Sequence, residues 1–459
     1  MPFLQNAKAL CPCQTARYAA QFAADAHAVA MKNAAAKHDM KQLACVAEAA
    51  RRQTYHFSHS IETRKITSQL NSGRCWIFAG MNLLRELVAK KLNLEFFELS
   101  QNYIAFWDKY EKVNYFYESI LDTADRELDD RTVSFILQGG VQDGGQWDML
   151  VNVIRKYGVV PKDAMPETFQ SSHTGSVNGL LNTQLRRNAL RLRRAAAEGA
   201  DTAALKEEMM AACYRLLCIA FSTPPSTFDF AVTDKDGKCI GEAGLTPQRF
   251  YETYIGVDLD DYISVINAPT ADKPFGRVFT VEYLNNVVGG QPVRYLNVEI
   301  EQLKDLCRQQ IVDGEPVWFG SDCGPWRDAL PGVFDDQAYD YESAYGMTFE
   351  MSKADMLDTR ESAMNHAMLI TAVNLTDGRP DRWKIENSWG DKAGVDGYYV
   401  MSDTWFDKMV YQAVIHKKYL PESLRAALES EPVTLPIWDP MGTLADSCAG
   451  RSAPKGPAD

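Results

Sequence analysis

A cysteine acts as a nucleophile only as its thiolate, and a helix N-terminus with an adjacent imidazolium lowers the thiol pKa enough to form one near neutral pH. In QLNSGRCWIFAG, residues 69–80, Cys75 stands where an amphipathic helix opens, and Gln69 lies six residues upstream. The ordinary alternative makes Cys75 one more buried thiol among ten cysteines, because free cysteine usually packs as a small hydrophobe. Among seven histidines, His366 in MNHAMLITAV stands at the mouth of an apolar, strand-like run. By itself that pattern describes a satisfied core histidine. KIENSWG follows, however, and its Asn387 can accept the imidazole N–H and aim the ring at a sulfur, while Trp389 can cover that bond from water.

These residues need a scaffold, and the order of patterns along the chain describes one. Residues 14–53 carry helix formers with apolar positions every three or four residues. Ser72 and Gly73 can open the helix CWIFAGMNLLRELVAKKL, with Ile77, Phe78, Met81, Leu84 and Val88 facing inward. Residues 99–121 read as an aromatic-rich helix, and residues 147–157 as another that stops at Gly158. A helical hairpin is expected around residues 195–205 and a β-hairpin around Asp236-Gly237. From residue 294 onward short strands dominate, so the chain is α+β, helical first and β-rich second.

Composition removes several functions. With 48 basic against 61 acidic side chains the net charge is −13, which disfavours general binding to nucleic acid or an anionic membrane. The one dense basic stretch, LRRNALRLRR at 185–194, reads as the solvated face of a helix. The first residues lack the pattern of a signal peptide and no apolar run is long enough to span a bilayer, so a cytoplasmic protein is expected. Ten scattered cysteines form no disulfide framework, and neither CPC at 11–13 nor HFSH at 56–59 has a second ligand pair at zinc-site spacing. Neither a metal nor an organic cofactor is expected.

SGRCW, NHA and ENSWG, in that order, resemble the papain-like cysteine proteases; GRCWIFA, LSQNYIAFWDKYEKVNYF, GGQWDM, GEPVWFG and WDPMG are similar to their bleomycin hydrolase and bacterial aminopeptidase C branch, from about residue 65 to 445. The resemblance implies a papain-like two-subdomain fold with a large insertion. It makes Cys75 the nucleophile, His366 the general base and acid, Asn387 the residue that orients His366, and Gln69 an oxyanion-hole donor. Gly144 and Gly145 match glycines whose bare backbone pairs with the substrate, and Ala445 matches the position where relatives' chains end inside the cleft. The positions of a disulfide found in secreted relatives are Ser72 and Gln142 here, which suits a reducing compartment.

The implied organisation is an N-terminal helical region 1–70, a helical subdomain 71–174 with the nucleophile helix, an insertion 175–290, a β-rich subdomain 291–430, and an arm and tail 431–459. The insertion is expected to build a hook that assembles a homohexamer. The implied activity is a cysteine aminopeptidase of broad specificity acting on peptides through a thiol acyl-enzyme. Two rivals are an endopeptidase of the same chemistry, if the fourteen residues after Ala445 are retained, and a non-catalytic nucleic-acid-binding assembly.

Overall fold

The computed structural model describes residues 7–445. The apolar runs of the second half form strands, and those apolar on both faces take the middle of the sheet. In chain order the strands are β1 His59–Ser60, β2 Phe228–Thr233, β3 Cys239–Leu245, β4 Tyr262–Ile266, β5 Arg277–Val281, β6 Tyr295–Asn297, β7 Val317–Ser321, β8 Arg327–Asp328, β9 Val333–Phe334, β10 His366–Thr376, β11 Arg379–Glu386, β12 Tyr398–Ser402, β13 Val410–His416 and β14 Val433–Leu435. All but β2 and β3 join one sheet, in the order β14-β5-β6-β4-β13-β7-β10-β11-β12-β9-β8, with β1 also on β10. Antiparallel pairing sets His366, the first residue of β10, opposite Ser321, the last of β7. Strand β11 ends at Glu386, so Asn387 emerges beside that corner.

The helices of the first half pack on this sheet. Helix Cys75–Lys91 buries Trp76, Ile77, Met81, Leu84 and Val88 against β10 and carries Lys90 and Lys91 in its last turn, where cations suit the helix dipole. Each such buried side chain contributes about 1.5–3 kcal/mol. Trp318 of β7 donates its indole N–H to the Trp76 carbonyl at 3.2 Å, tying the nucleophile's helix to the centre of the sheet. Helix Gln101–Asp122 starts where the Ser100 hydroxyl accepts the Tyr103 N–H, and helix Trp147–Tyr157 stops at Gly158. Gly158 has φ +70°, and a Cβ there would lie 2.3 Å from the Pro247 carbonyl carbon, so turn and contact both demand glycine.

Several expectations change. The nucleophile's helix begins at Cys75, not at Ser72, because the Ser72 hydroxyl donates to the Gln69 carbonyl and caps nothing. The N-terminal region is not purely helical, since β1 adds to β10. The segment 175–290 is not one inserted body. Helices Gly175–Ala197 and Thr202–Phe221 pack on helix Gln101–Asp122 and the β2–β3 hairpin is a separate two-stranded sheet, whereas β4 and β5 are built into the large sheet. Cys11 and Cys13 of the CPC motif are joined to each other by a disulfide. The residues after Ala445, expected as a tail, lie outside the described residues.

Candidate active site

Cys75 is the first residue of its helix and fully buried. Its thiol donates to the Ala445 carbonyl oxygen, with sulfur and oxygen 3.2 Å apart. Ala445 in turn forms an antiparallel bridge with Gly145, its N–H donating to the Gly145 carbonyl at 3.3 Å. The arm after β14 therefore lies along the glycine strand in the manner of an extended peptide. It is fastened on the way: Gln146 Nε2 donates to the Thr443 carbonyl at 2.6 Å, the Thr443 hydroxyl to the Met364 carbonyl at 2.9 Å, and Asp439 pairs with buried Lys273 at 2.9 Å.

The imidazole is held from two sides. His366 Nε2 donates to Asn387 Oδ1 at 2.9 Å, and the ring stacks on Trp389 with centroids 4.6 Å apart. Asn387 Oδ1 also accepts the Ser388 N–H at 2.8 Å, which fixes the amide. The expected cover by tryptophan is thus a stack on the imidazole itself. Burial pushes the imidazole pKa down to about 4, against the pull of Asn387 and with help from the Arg327 guanidinium.

Gln69 faces the same corner. Its amide nitrogen donates to the Ser72 carbonyl at 2.5 Å and its amide oxygen accepts from the Ser388 hydroxyl at 2.7 Å, while its N–H donates to the Ser388 carbonyl. These bonds clamp the loop before Cys75 to the segment after Asn387. Leu70, between Gln69 and Asn71, adopts φ +49°, a left-handed conformation that non-glycine residues hold only where their surroundings impose it.

Gly145 pairs with Ala445, and a Cβ on it would also meet the Trp76 indole at 2.5 Å, so the indole behind the strand calls for glycine there as well. The strand's fastening was not legible in the sequence. Lys112 Nζ donates to the Gly144 carbonyl at 2.6 Å, and Asp143 accepts from the Gly73 N–H at 2.8 Å and from Lys109. Glu386 likewise accepts from Asn82 and Arg85 of the nucleophile's helix, locking the end of β11 to it. A cleft of about 710 Å³ lies beside Gln142 and the end of the arm, lined by Phe116, Ile136, Met364 and Leu444.

A thiol at a helix N-terminus, an Asn-oriented histidine and a glycine strand that pairs with an extended segment define a thiol peptidase. Residues 10–442 match the Peptidase C1-like family, to which the chain belongs. It is 51% identical over 389 residues to aminopeptidase C of Listeria monocytogenes, covering 85% of this chain and 88% of that one. It is 40% identical over 435 residues to human bleomycin hydrolase, covering 92% and 96%. The crystal structure of PepW from Lactobacillus rhamnosis HN001 superposes with a TM-score of 0.94 at 46% identity, over 95% of this chain and 99% of that one. Within the papain-like fold this chain is a cysteine aminopeptidase.

Proposed function

We propose that Cys75 cleaves the first peptide bond of peptide substrates, and that the arm ending at Ala445 limits it to that bond. The observation that carries the reading is the Ala445 carbonyl held 3.2 Å from the Cys75 sulfur while Ala445 pairs with Gly145. In this reading the thiol proton passes to His366 and the thiolate adds to the substrate carbonyl. The Gln69 amide and the Cys75 N–H stabilise the oxyanion. His366 gives its proton to the departing amine, then takes one from the water that hydrolyses the acyl-enzyme. Asn387 keeps the ring aimed throughout. No step calls for a metal or an organic cofactor.

The arm occupies the part of the cleft beside Gly145, where residues preceding a scissile bond would otherwise pair, so it restricts how many residues can precede that bond. A chain trimmed to Ala445 presents a carboxylate there for the substrate's α-ammonium. Fully extended, residues 446–459 would reach ~46–50 Å, too long for that space. A tethered segment passing the nucleophile is at high effective concentration, so self-cleavage near Ala445 is part of the proposal. We place the protein in the cytoplasm on its acidic, thiol-rich composition, with seven free cysteines among the described residues. Assembly as a homohexamer is what the family resemblance implies, and the exposed apolar residues Phe169, Leu180 and Ile219 offer contact surface for association.

Time-resolved product analysis on a mixed-sequence peptide tests the activity. Single residues should appear in order from the N-terminus, and an epoxide-type thiol reagent should label Cys75 alone. Internal fragments as first products would refute the aminopeptidase reading.

A further inference from the structure

Arg327, the first residue of β8, is 4% exposed, yet its guanidinium makes no hydrogen bond or ion pair with a described residue, and its Nε is buried without a partner. Burying a cation without a carboxylate costs stability, so a fold has no structural reason to keep it that way. Its one close contact is aromatic: the guanidinium carbon lies 4.7 Å from the Trp389 ring centroid. His366 stacks on the same indole at 4.6 Å, so the fixed cation stands within about 9 Å of the imidazole. The backbone is also bent to bring it there. Trp326, just before it, holds φ +46°, a conformation that a bulky residue adopts only under constraint.

We infer that Arg327 is a positioning residue for the peptidase reaction, its guanidinium against Trp389 biasing His366 toward the neutral form. The inference rests on the proposed role of His366. The other charged groups near His366 are already engaged, and the buried Cys323 thiol after β7 is held up by burial and so stays neutral beside Arg327. Asp322, after β7, accepts from Ser362 and Asn365, and Glu386, at the end of β11, is paired with Arg85. Cys75, at the start of its helix, is the partner in catalysis. Toward the far end of β10, His59 of β1 is bonded to Ser58, and Lys304 of the packed helix Ile300–Val312 is paired with Asp403 and Asp407. Among the described residues, Arg327 is the cation left to act on the imidazole.

The consequence is read on the limb of the turnover profile where the imidazolium is lost. An imidazolium must persist long enough to protonate the leaving amine, and a cation at about 9 Å lowers the pH at which it is lost by about 0.5 to 1 unit. The test is the pH dependence of kcat/KM for a free-amine fluorogenic dipeptide in wild type, Arg327→Met, Arg327→Gln and Arg327→Lys, each checked for folding by circular dichroism. The Met and Gln variants should move that limb up by about 0.5 to 1 unit, a three- to tenfold gain on that flank, and Lys should keep it at the wild-type position. An unmoved limb in the folded neutral variants overturns the inference, as does an equal shift in Lys, which would mean that packing rather than charge is responsible. Full activity in His366→Ala would instead remove the proposed function beneath it.

Discussion

Replacing Gln146 by alanine separates the arm's role from the chemistry. Gln146 is buried beside Gly145, and its amide donates to the Thr443 carbonyl at 2.6 Å, two residues before Ala445. Losing that bond and leaving the carbonyl without its partner costs about 1–2 kcal/mol, which raises the population with the arm end lifted by about 5- to 30-fold. The Lys273–Asp439 pair and the β14–β5 ladder still hold the rest of the arm, so the fold remains. Two fluorogenic peptides, identical except that one is N-acetylated, read the effect as a ratio of kcat/KM values. The ratio of acetylated to free substrate should rise by about the same 5- to 30-fold, because a lifted arm admits residues before the scissile bond. Thr443→Val, which removes the hydroxyl bond to Met364, should act in the same direction. A ratio unchanged in a protein of unchanged melting temperature would refute the arm as the limit on substrate length.

Cys75→Ala should abolish hydrolysis while the protein stays folded, and intact mass spectrometry should find active wild type ending at or near Ala445 and the variant at Asp459; a full-length active enzyme would refute trimming. Gln69→Ala should lower kcat by about two to three powers of ten with KM little changed, since an oxyanion donor acts in the transition state; weakened binding at unchanged kcat would make Gln69 a ground-state contact. Asp148, fully buried in helix Trp147–Tyr157, is pushed up to about 7 by burial, against the pull of Arg294. A carboxylate raised in the folded state contributes stability that is complete below about pH 4 and lost as pH rises through 7. Thermal unfolding of Asp148→Asn should therefore show a gain on the order of 2–4 kcal/mol at pH 8 and none at pH 4; equal behaviour at both pH values would refute it.

The elements that periodicity describes were legible in advance. Helix Trp147–Tyr157 with its glycine stop, the β2–β3 hairpin at Asp236-Gly237 and the strand opening at His366 are decided by neighbours a few residues apart, where propensity and turn chemistry act. The start of the nucleophile's helix was misread for the opposite reason. Ser72 has the chemistry of a cap, but its hydroxyl is taken by Gln69 in a turn that no local pattern announces. The sheet membership of β4 and β5 was not legible, because they look like ordinary short apolar runs until they find β13, β6 and β14.

What the sequence by itself determined is the reagent set: a cysteine at a helix start, a histidine at a strand start, an asparagine and tryptophan one strand later, and an upstream glutamine. Those residue types at those element ends carry their chemistry wherever the chain folds. Only the tertiary structure decided how they are held. Ser388 meets Gln69 across 319 residues, Ala445 meets Cys75 across 370, and Arg327 reaches the indole that stacks on His366. Such partners are chosen when burial of the apolar faces closes the helices on the sheet. That closure is a sum over the whole core, so no single segment of sequence records which distant side chain it will bring near.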